Sequence, residues 1–293
     1  MSAPPAHPVL IVNPRSGGGT AARCDLVEEC RMRGIEAIVL EHGDDVAALA
    51  TAAVRDGADV LGMAGGDGSQ AAVAAVAAAH DLPYVCIPAG TRNHFALDLG
   101  IDRDDPIAAL DAFADGDERR IDLGRVNGRA FVNNVALGFY GAVVQSPAYR
   151  DHKVRTVVEL LPELVGPNAE PFDLHFVGAG GATFDHAALV LVSNNPYVLD
   201  PRPRKGARGD IDGGVLGVVA VTAPGPRGLA EWTTSAFVVD SSAPVTAGID
   251  GESVVLAPPL RFESDPKALR VRVPARRSRW WRRRARARRS SVR

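Results

Sequence analysis

No apolar run in this 293-residue chain approaches the roughly 18 residues that a helix needs to cross a bilayer. The opening stretch, Met1-Ser2-Ala3-Pro4-Pro5-Ala6-His7-Pro8, has neither a basic segment nor an apolar core, so secretion is not expected. Cysteine is scarce: Cys24, Cys30 and Cys86 form no CxxC pair and no zinc set with the scattered histidines, which fits a reducing cytoplasm. Gly-Lys-Ser and Gly-Lys-Thr are absent, which excludes a P-loop. There is no internal repeat. Acids are missing from one stretch in particular, between Arg276 and Arg293.

That stretch holds ten arginines around Trp280 and Trp281, so a formal net charge of −2 conceals a body near −12. Such a block fits a flexible tail, or an anionic membrane surface on which indoles settle at the headgroups. Nucleic acid is the weakest of the options, because nothing else in an acidic body suits a phosphate backbone. With 46% hydrophobic residues the rest is an ordinary soluble composition, and its length favours two domains over one.

What the chain has in quantity is glycine at strand ends. Val60-Leu61-Gly62-Met63-Ala64 is an apolar run leading into Gly65-Gly66-Asp67-Gly68-Ser69, and a helical alanine-rich segment, 70–79, follows. Glycines at a strand-to-helix junction let backbone amides approach a ligand, and the helix start adds unpaired N–H groups that suit phosphate. Asp67 would repel that phosphate unless a metal ion or a hydroxyl proton intervenes, which suggests a nucleotide with Mg²⁺. Alone, the loop reads equally well as a structural turn.

Two further stretches repeat the pattern. Val9-Leu10-Ile11-Val12 reads as a buried strand ending in Asn13-Pro14-Arg15-Ser16-Gly17-Gly18-Gly19, and Tyr84-Val85-Cys86-Ile87 as another ending in Pro88-Ala89-Gly90-Thr91-Arg92-Asn93. Helices are expected over 21–33, stopped by Gly34, over 46–56, capped by Asp45 and ended by Gly57, and over 106–116. A further strand is expected over 35–40. Alternating strands and helices predict a parallel sheet with ligands beyond the strands' carboxyl ends, where all three glycine stretches fall. From residue 120 the texture changes to short strands, expected at 131–137, 172–176, 189–193, 216–221, 245–247, 254–256 and 269–273. Turn residues lie between them at Asp210, Asp212-Gly213-Gly214, Pro224-Gly225 and Asp250-Gly251, and Pro162, Pro167 and Pro171 mark a loop-rich passage. The expected organisation is an α/β nucleotide domain over 1–122, a mostly antiparallel β domain, either a sandwich or a split barrel, over 123–275, and the basic tail over 276–293, with ligands in a cleft between the domains.

Gly17-Gly18-Gly19-Thr20-Ala21-Ala22 satisfies a dinucleotide fingerprint, with Glu41 at about the right distance, but leaves the other glycine loops unexplained. Phosphoryl transfer without a P-loop uses them all: amides of Ser16, Gly17 and 65–69 as a cradle, hydroxyls of Ser16, Ser69 and Thr91, and the neutral amides of Asn13 and Asn93. The three stretches, in order and spacing, resemble the signatures of the diacylglycerol-kinase-like lipid kinases, a family that includes sphingosine and ceramide kinases. The resemblance continues through Asn133-Asn134-Val135-Ala136-Leu137-Gly138-Phe139, Ser193-Asn194-Asn195-Pro196-Tyr197, Asp212-Gly213-Gly214-Val215-Leu216 and Asp250-Gly251-Glu252, to about residue 273.

The resemblance implies an N-terminal α/β domain similar to those of NAD kinase and phosphofructokinase, and a C-terminal β-sandwich that binds the lipid, with ATP and Mg²⁺ between them. It places ATP on Asn13, Pro14, Arg15, Ser16 and Gly17, on Gly65, Gly66, Asp67, Gly68, Ser69, Gln70 and Ala71, and on Thr91, with Asn93 beside it. Glu252 matches the proton acceptor, with Asp250 next to it, Asp67 acting through metal or water, and Asp212 the Mg²⁺ site. The expected activity is transfer of the γ-phosphoryl group to a lipid hydroxyl, diacylglycerol by default, by a cytoplasmic protein visiting the inner face of the membrane through 276–293. No nucleic-acid partner is expected, and a homodimer is admitted.

The chain departs from the family pattern in four places: Ser69 stands for Thr, Ala72 for Glu, His94 for Asp, and Gly213 for Asp. These departures keep two alternatives in view, a catalytically silent nucleotide- or lipid-binding protein and a soluble small-molecule kinase of the NAD kinase type. Two neighbouring features bear on a lipid role, the tail and the cations of Pro201-Arg202-Pro203-Arg204-Lys205-Gly206-Ala207-Arg208, which read either as a solvated loop or as an attractor of headgroups or polyphosphate.

Overall fold

The structure is a computed structural model, and it describes residues 5–138, 172–185, 187–197, 208, 210–221 and 229–275. The expected features at Phe139, Pro162, Pro167, Pro171, 201–207, Pro224-Gly225 and 276–293 lie outside the described residues. The chain forms two units, one running to Ile121 and resuming at Ala268, the other spanning Asp122–Lys267. It passes between them inside two strands, after Ile121 and after Lys267.

The first unit is α/β. Its strands are β1 (Pro8–Val12), β2 (Glu36–Val39), β3 (Val60–Gly65) and β4 (Tyr84–Pro88). Every residue of β1, β3 and β4 is buried, as expected for central strands covered on both faces. β1 pairs in parallel with β2 and β3, and β3 with β4. The end of the last described strand closes the row, Val271 opposite Tyr84 and Arg272 opposite Val85, also parallel.

Seven helices are described in this unit: α1 (Thr20–Arg23), α2 (Leu26–Met32), α3 (Val46–Arg55), α4 (Asp67–Ala79), α5 (His94–Asp98), α6 (Pro106–Ala109) and α7 (Asp111–Ala114). Asp45 caps α3 by accepting from the amides of Ala47 and Ala48 at 2.9 and 3.1 Å. Gly34 and Gly57 follow α2 and α3 in left-handed conformations. The single helix expected over 21–33 is two. Asp25 adopts φ 48° between them, a conformation Asp tolerates, and the restart buries Leu26 and Cys30 completely. Likewise 106–116 yields two short helices, and Gly116 already opens a strand.

Among the described residues the second unit is built of antiparallel strands. Its strands are the later part of β5 (Gly116–Val126), β6 (Arg129–Phe131), β7 (Asn134–Gly138), β8 (His175–Val177), β9 (Thr183–Phe184), β10 (Leu189–Asn194), β11 (Leu216–Val221), β12 (Leu229–Thr234), β13 (Ala236–Asp240), β14 (Val245–Ile249), β15 (Glu252–Leu256) and the first part of β16 (Leu260–Pro274). One sheet runs β12-β11-β10-β7-β14-β15. Opposite it stand β16, β13, β8 and β9, antiparallel neighbours in that order.

Phe131, Leu137, Val190, Leu216, Val239 and Phe262 are among the side chains that fill the core of this unit. An aromatic row continues it: Phe184 stacks on Phe176 at 4.9 Å, Trp232 on both at 6.0 Å, and Phe237 on Phe262 at 5.0 Å. The expected strand over 131–137 is broken at Val132-Asn133, where the backbone amides turn to a carboxylate described below. No helix among the described residues is long and apolar enough to cross a membrane.

Candidate functional site

The carboxyl ends of β1, β3 and β4 carry the three glycine loops, and the loops meet. Gly17, at φ 57°, packs so closely that a Cβ there would lie 2.5 Å from the Ala89 carbonyl oxygen and 3.0 Å from that of Gly90. A Cβ on Gly90 would lie 2.5 Å from Gly66 Cα. Glycine is required at these points because three backbones converge where no side chain fits. The parallel register puts the loops side by side, and the Asn13 amide donates to Ala64 oxygen at 2.9 Å.

Each loop is tied internally. Asn13 Oδ1 accepts from the Arg15 amide at 3.1 Å, and Arg15 Nη2 donates to Glu41 oxygen at 2.8 Å. Ser69 Oγ donates to Gly66 oxygen at 2.9 Å. Asn93, left-handed at φ 53°, accepts from the Gly90 amide at 2.8 Å and donates back to Gly90 oxygen at 2.9 Å. Thr91 is exposed, and Pro14 and Ser16 are half-buried.

Gln70 and Ala71 lie beneath the loops and are buried. The Gln70 amide nitrogen donates to the carbonyls of Met63, Gly65 and Ile87 at 3.1, 3.2 and 3.0 Å, and its oxygen accepts from the Tyr84 hydroxyl. One side chain thus bolts the ends of β3 and β4 together. Asp67 does similar work: Oδ1 accepts from the Phe95 amide at 3.1 Å and Oδ2 from the His94 amide at 3.2 Å, so the carboxylate caps α5. Burial holds the His94 imidazole below its ordinary pKa; Asp67 opposes this, Arg92 adds to it, Asp98 opposes it and Arg103 adds to it. Burial also raises the thiols of Cys86 and Cys30, the latter to about 11, which leaves them inert core residues.

The remaining predicted site residues belong to the second unit. Asp250 sits in the tight turn between β14 and β15, left-handed at φ 49°. Its Oδ2 accepts from the Val132 amide at 2.9 Å, and its Oδ1 from the amides of Asn133 and Asn134 at 2.8 and 3.1 Å. Glu252 is exposed and approaches Arg129 Nη2 at 3.4 Å. Asp212 is exposed too. Among the described residues no group of three or more His, Cys, Asp or Glu side chains is arranged to hold a metal ion.

Sequence reasoning did not single out the residue on which the Asp212 turn rests. Asp122 is fully buried, and its Oδ2 accepts from the Gly214 amide at 2.6 Å and from Asn195 Nδ2 at 3.1 Å. Its Oδ1 accepts from the Lys267 amide at 2.8 Å, and Asn195 Oδ1 from the Gly213 amide at 3.0 Å. Asn194 joins this network by donating from Nδ2 to the Asp122 backbone carbonyl at 2.9 Å. Arg208, within a stretch that reads as a solvated loop, is buried; it donates to Asn194 oxygen and, at 3.3 Å, to Asn133 Oδ1. The available signal was a lone carboxylate in the apolar run Ile121-Asp122-Leu123.

Residues 7–126 match the family model described as the diacylglycerol kinase catalytic domain. A diacylglycerol kinase of Mycobacterium tuberculosis is 33% identical over 176 residues, which is 56% of this chain and 57% of that relative. The chain therefore spans little more than half the length of that relative. A Pseudomonas aeruginosa protein named "Probable lipid kinase YegS-like" is 27% identical over 91% of this chain and 94% of its own. The crystal structure of a diacylglycerol kinase from Bacillus anthracis aligns with a TM-score of 0.63 and 16% identity, covering 94% of this chain and 100% of that one, a likeness of fold.

Proposed function

We propose that this chain, which resembles the diacylglycerol kinase-like lipid kinases, transfers the γ-phosphoryl group of ATP to a lipid hydroxyl, with diacylglycerol as the default acceptor. The observation that carries the reading is the contact of the three glycine loops, a cradle that a single Cβ would fill. ATP, when bound, supplies the phosphoryl group. The amides of Ser16, Gly17 and 65–69 and the hydroxyls of Ser16, Ser69 and Thr91 hold its phosphates, and Asn13 and Asn93 add dipoles without adding charge.

In this reading Gln70 and Asp67 keep the cradle rigid from beneath and beside it, and Asp67 meets the acceptor side through water. Glu252 takes the hydroxyl proton. Asp250, whose oxygens already receive three amides, holds the turn that presents Glu252. Among the described residues no three carboxylate, imidazole or thiol side chains gather at the Asp212 turn, where the buried Asp122 carboxylate is already taken up by backbone and amide donors, so these residues do not fit a resident Mg²⁺ and no step is routed through one. The Arg/Trp segment between Arg276 and Arg293 supplies attraction to an anionic membrane surface, which makes the protein a peripheral visitor.

The test is transfer of labelled γ-phosphate from ATP into a mixed lipid extract, with Asp67→Ala and Glu252→Gln beside the wild type. A labelled lipid that both variants fail to make supports the reading and names the acceptor. Nucleotide binding with no labelled lipid would replace it with the silent binding protein. Label in a water-soluble product would replace it with a small-molecule kinase.

A further inference from the structure

We propose that Arg23 is a phosphate-engaging residue of the first glycine loop, a role that rests on the nucleotide reading of the same three loops. α1 starts immediately after Gly19, the last of three consecutive left-handed glycines, and Arg23 stands at its other end. Side chains on a helix lean toward its N-terminus, so Arg23 folds back over the loop. Its Nη1 donates to Gly18 oxygen, and its Nη2 donates to Gly17 oxygen at 3.2 Å and to Thr20 Oγ1 at 3.0 Å. Thr20 in turn donates its hydroxyl proton to Gly17 oxygen at 2.9 Å.

The consequence is electrostatic. Exposed carbonyl oxygens are what a glycine loop presents against an anion, and this guanidinium covers two of them without engaging any of the loop's amides. Gly17 itself lies against the carbonyls of Ala89 and Gly90, so the charge of Arg23 is one residue away from the third loop. Arg23 is exposed and makes no ion pair among the described residues, and its guanidinium carries more N–H donors than these three bonds use. Arg15, by contrast, is turned to the Glu41 carbonyl. A phosphate group is the ligand that an exposed, unpaired guanidinium beside amide donors fits, whether it arrives on a nucleotide or on a lipid headgroup.

The experiment measures binding of ATP, ADP and AMP in solution, and of phosphatidylcholine vesicles with and without phosphatidic acid. It compares wild type, Arg23→Ala, Arg23→Lys and the charge control Arg31→Ala, whose side chain pairs with Glu28 on the surface of α2. A nucleotide phosphate contact predicts that Arg23→Ala weakens ATP about tenfold or more, ADP less and AMP least, with Arg23→Lys in between and Arg31→Ala unchanged. A headgroup contact predicts unchanged nucleotides and lost dependence on phosphatidic acid. Equal weakening of all three nucleotides would reduce Arg23 to a loop clamp, and no change in either arm would overturn the assignment outright. If the wild type binds none of the nucleotides, the underlying nucleotide reading fails, and the vesicle arm alone then decides for or against Arg23.

Discussion

Gly90→Ala isolates the contact on which the site depends. Gly90 does not need a left-handed backbone, so alanine meets no conformational obstacle there, and the whole effect comes from the added methyl. That methyl would sit 2.5 Å from Gly66 Cα, 2.9 Å from Asn93 Oδ1 and 3.0 Å from the Gly66 nitrogen, where ordinary contact begins at 3.4 Å. Two of the three atoms are backbone and cannot swing aside, so the second and third loops must separate by about 1 Å. Overpacking of this kind costs about 1–3 kcal/mol, and misplacing reacting groups by that distance costs about a hundredfold in rate. Urea denaturation and calorimetric ATP titration should both respond, stability by that amount and affinity by at least tenfold. Gly100→Ala is the control, since Gly100 has φ 72° and open space around its Cβ position; it should lose about 1–2 kcal/mol of stability and keep its ATP affinity. Wild-type stability and wild-type affinity in Gly90→Ala would refute the claim that the loops touch.

Asp250→Asn places an NH₂ group against backbone donors and should cost about 1–3 kcal/mol in urea denaturation, whatever it does to catalysis. Arg272→Met should raise stability by about 1 kcal/mol, because Arg272 is buried with its Nε lacking any acceptor; a loss in the same assay would show that the guanidinium is satisfied. The exposed cluster around His175 predicts a pH dependence. Hydrogen bonds that the protonated His175 ring donates to Asp185 and Asp173 raise its pKa above 6.5, so its contribution is complete below that pH and disappears as pH climbs through the raised value. Asp173, held down to about 2 by the Ser242 hydroxyl and amide and then by His175, contributes fully above 3.8 and loses this as pH falls through about 2. The urea midpoint of His175→Gln should lack the decline on the alkaline side, and an unchanged profile would dismiss the cluster.

Much of the first unit was legible because its signals are local. The apolar runs of β1, β3 and β4 need both faces covered, and each ends in glycines that only a close approach explains. Three loops at the ends of neighbouring parallel strands have nowhere to go but together. Asp45, Gly34 and Gly57 are caps whose chemistry acts within a few residues. The Asp25 break was not visible, since it follows from the need to bury both Leu26 and Cys30 against elements far along the chain. β12 and β13 also escaped, because alternate exposure along β12 leaves a pattern that its Glu231, Thr233 and Thr234 make polar.

For the site residues the division is sharper. The sequence by itself determined which loops carry amides and hydroxyls, because residue type and spacing to a strand end suffice for that. Only the tertiary structure decided what each polar side chain does. Gln70 reads as one of the ligand-binding residues, yet its amide spans three carbonyls from two strands. Asp250 reads as an acid, yet its oxygens collect amides more than a hundred residues away. Asp122, a lone carboxylate in an apolar run, and Arg23, unremarkable in its own segment, acquire a role only when their partners are seen. The physical reason is common to all four. A strand or a helix is written in near neighbours, whereas a hydrogen bond between side chain and backbone depends on who arrives within about 3 Å in space, which the order of residues along the chain does not encode.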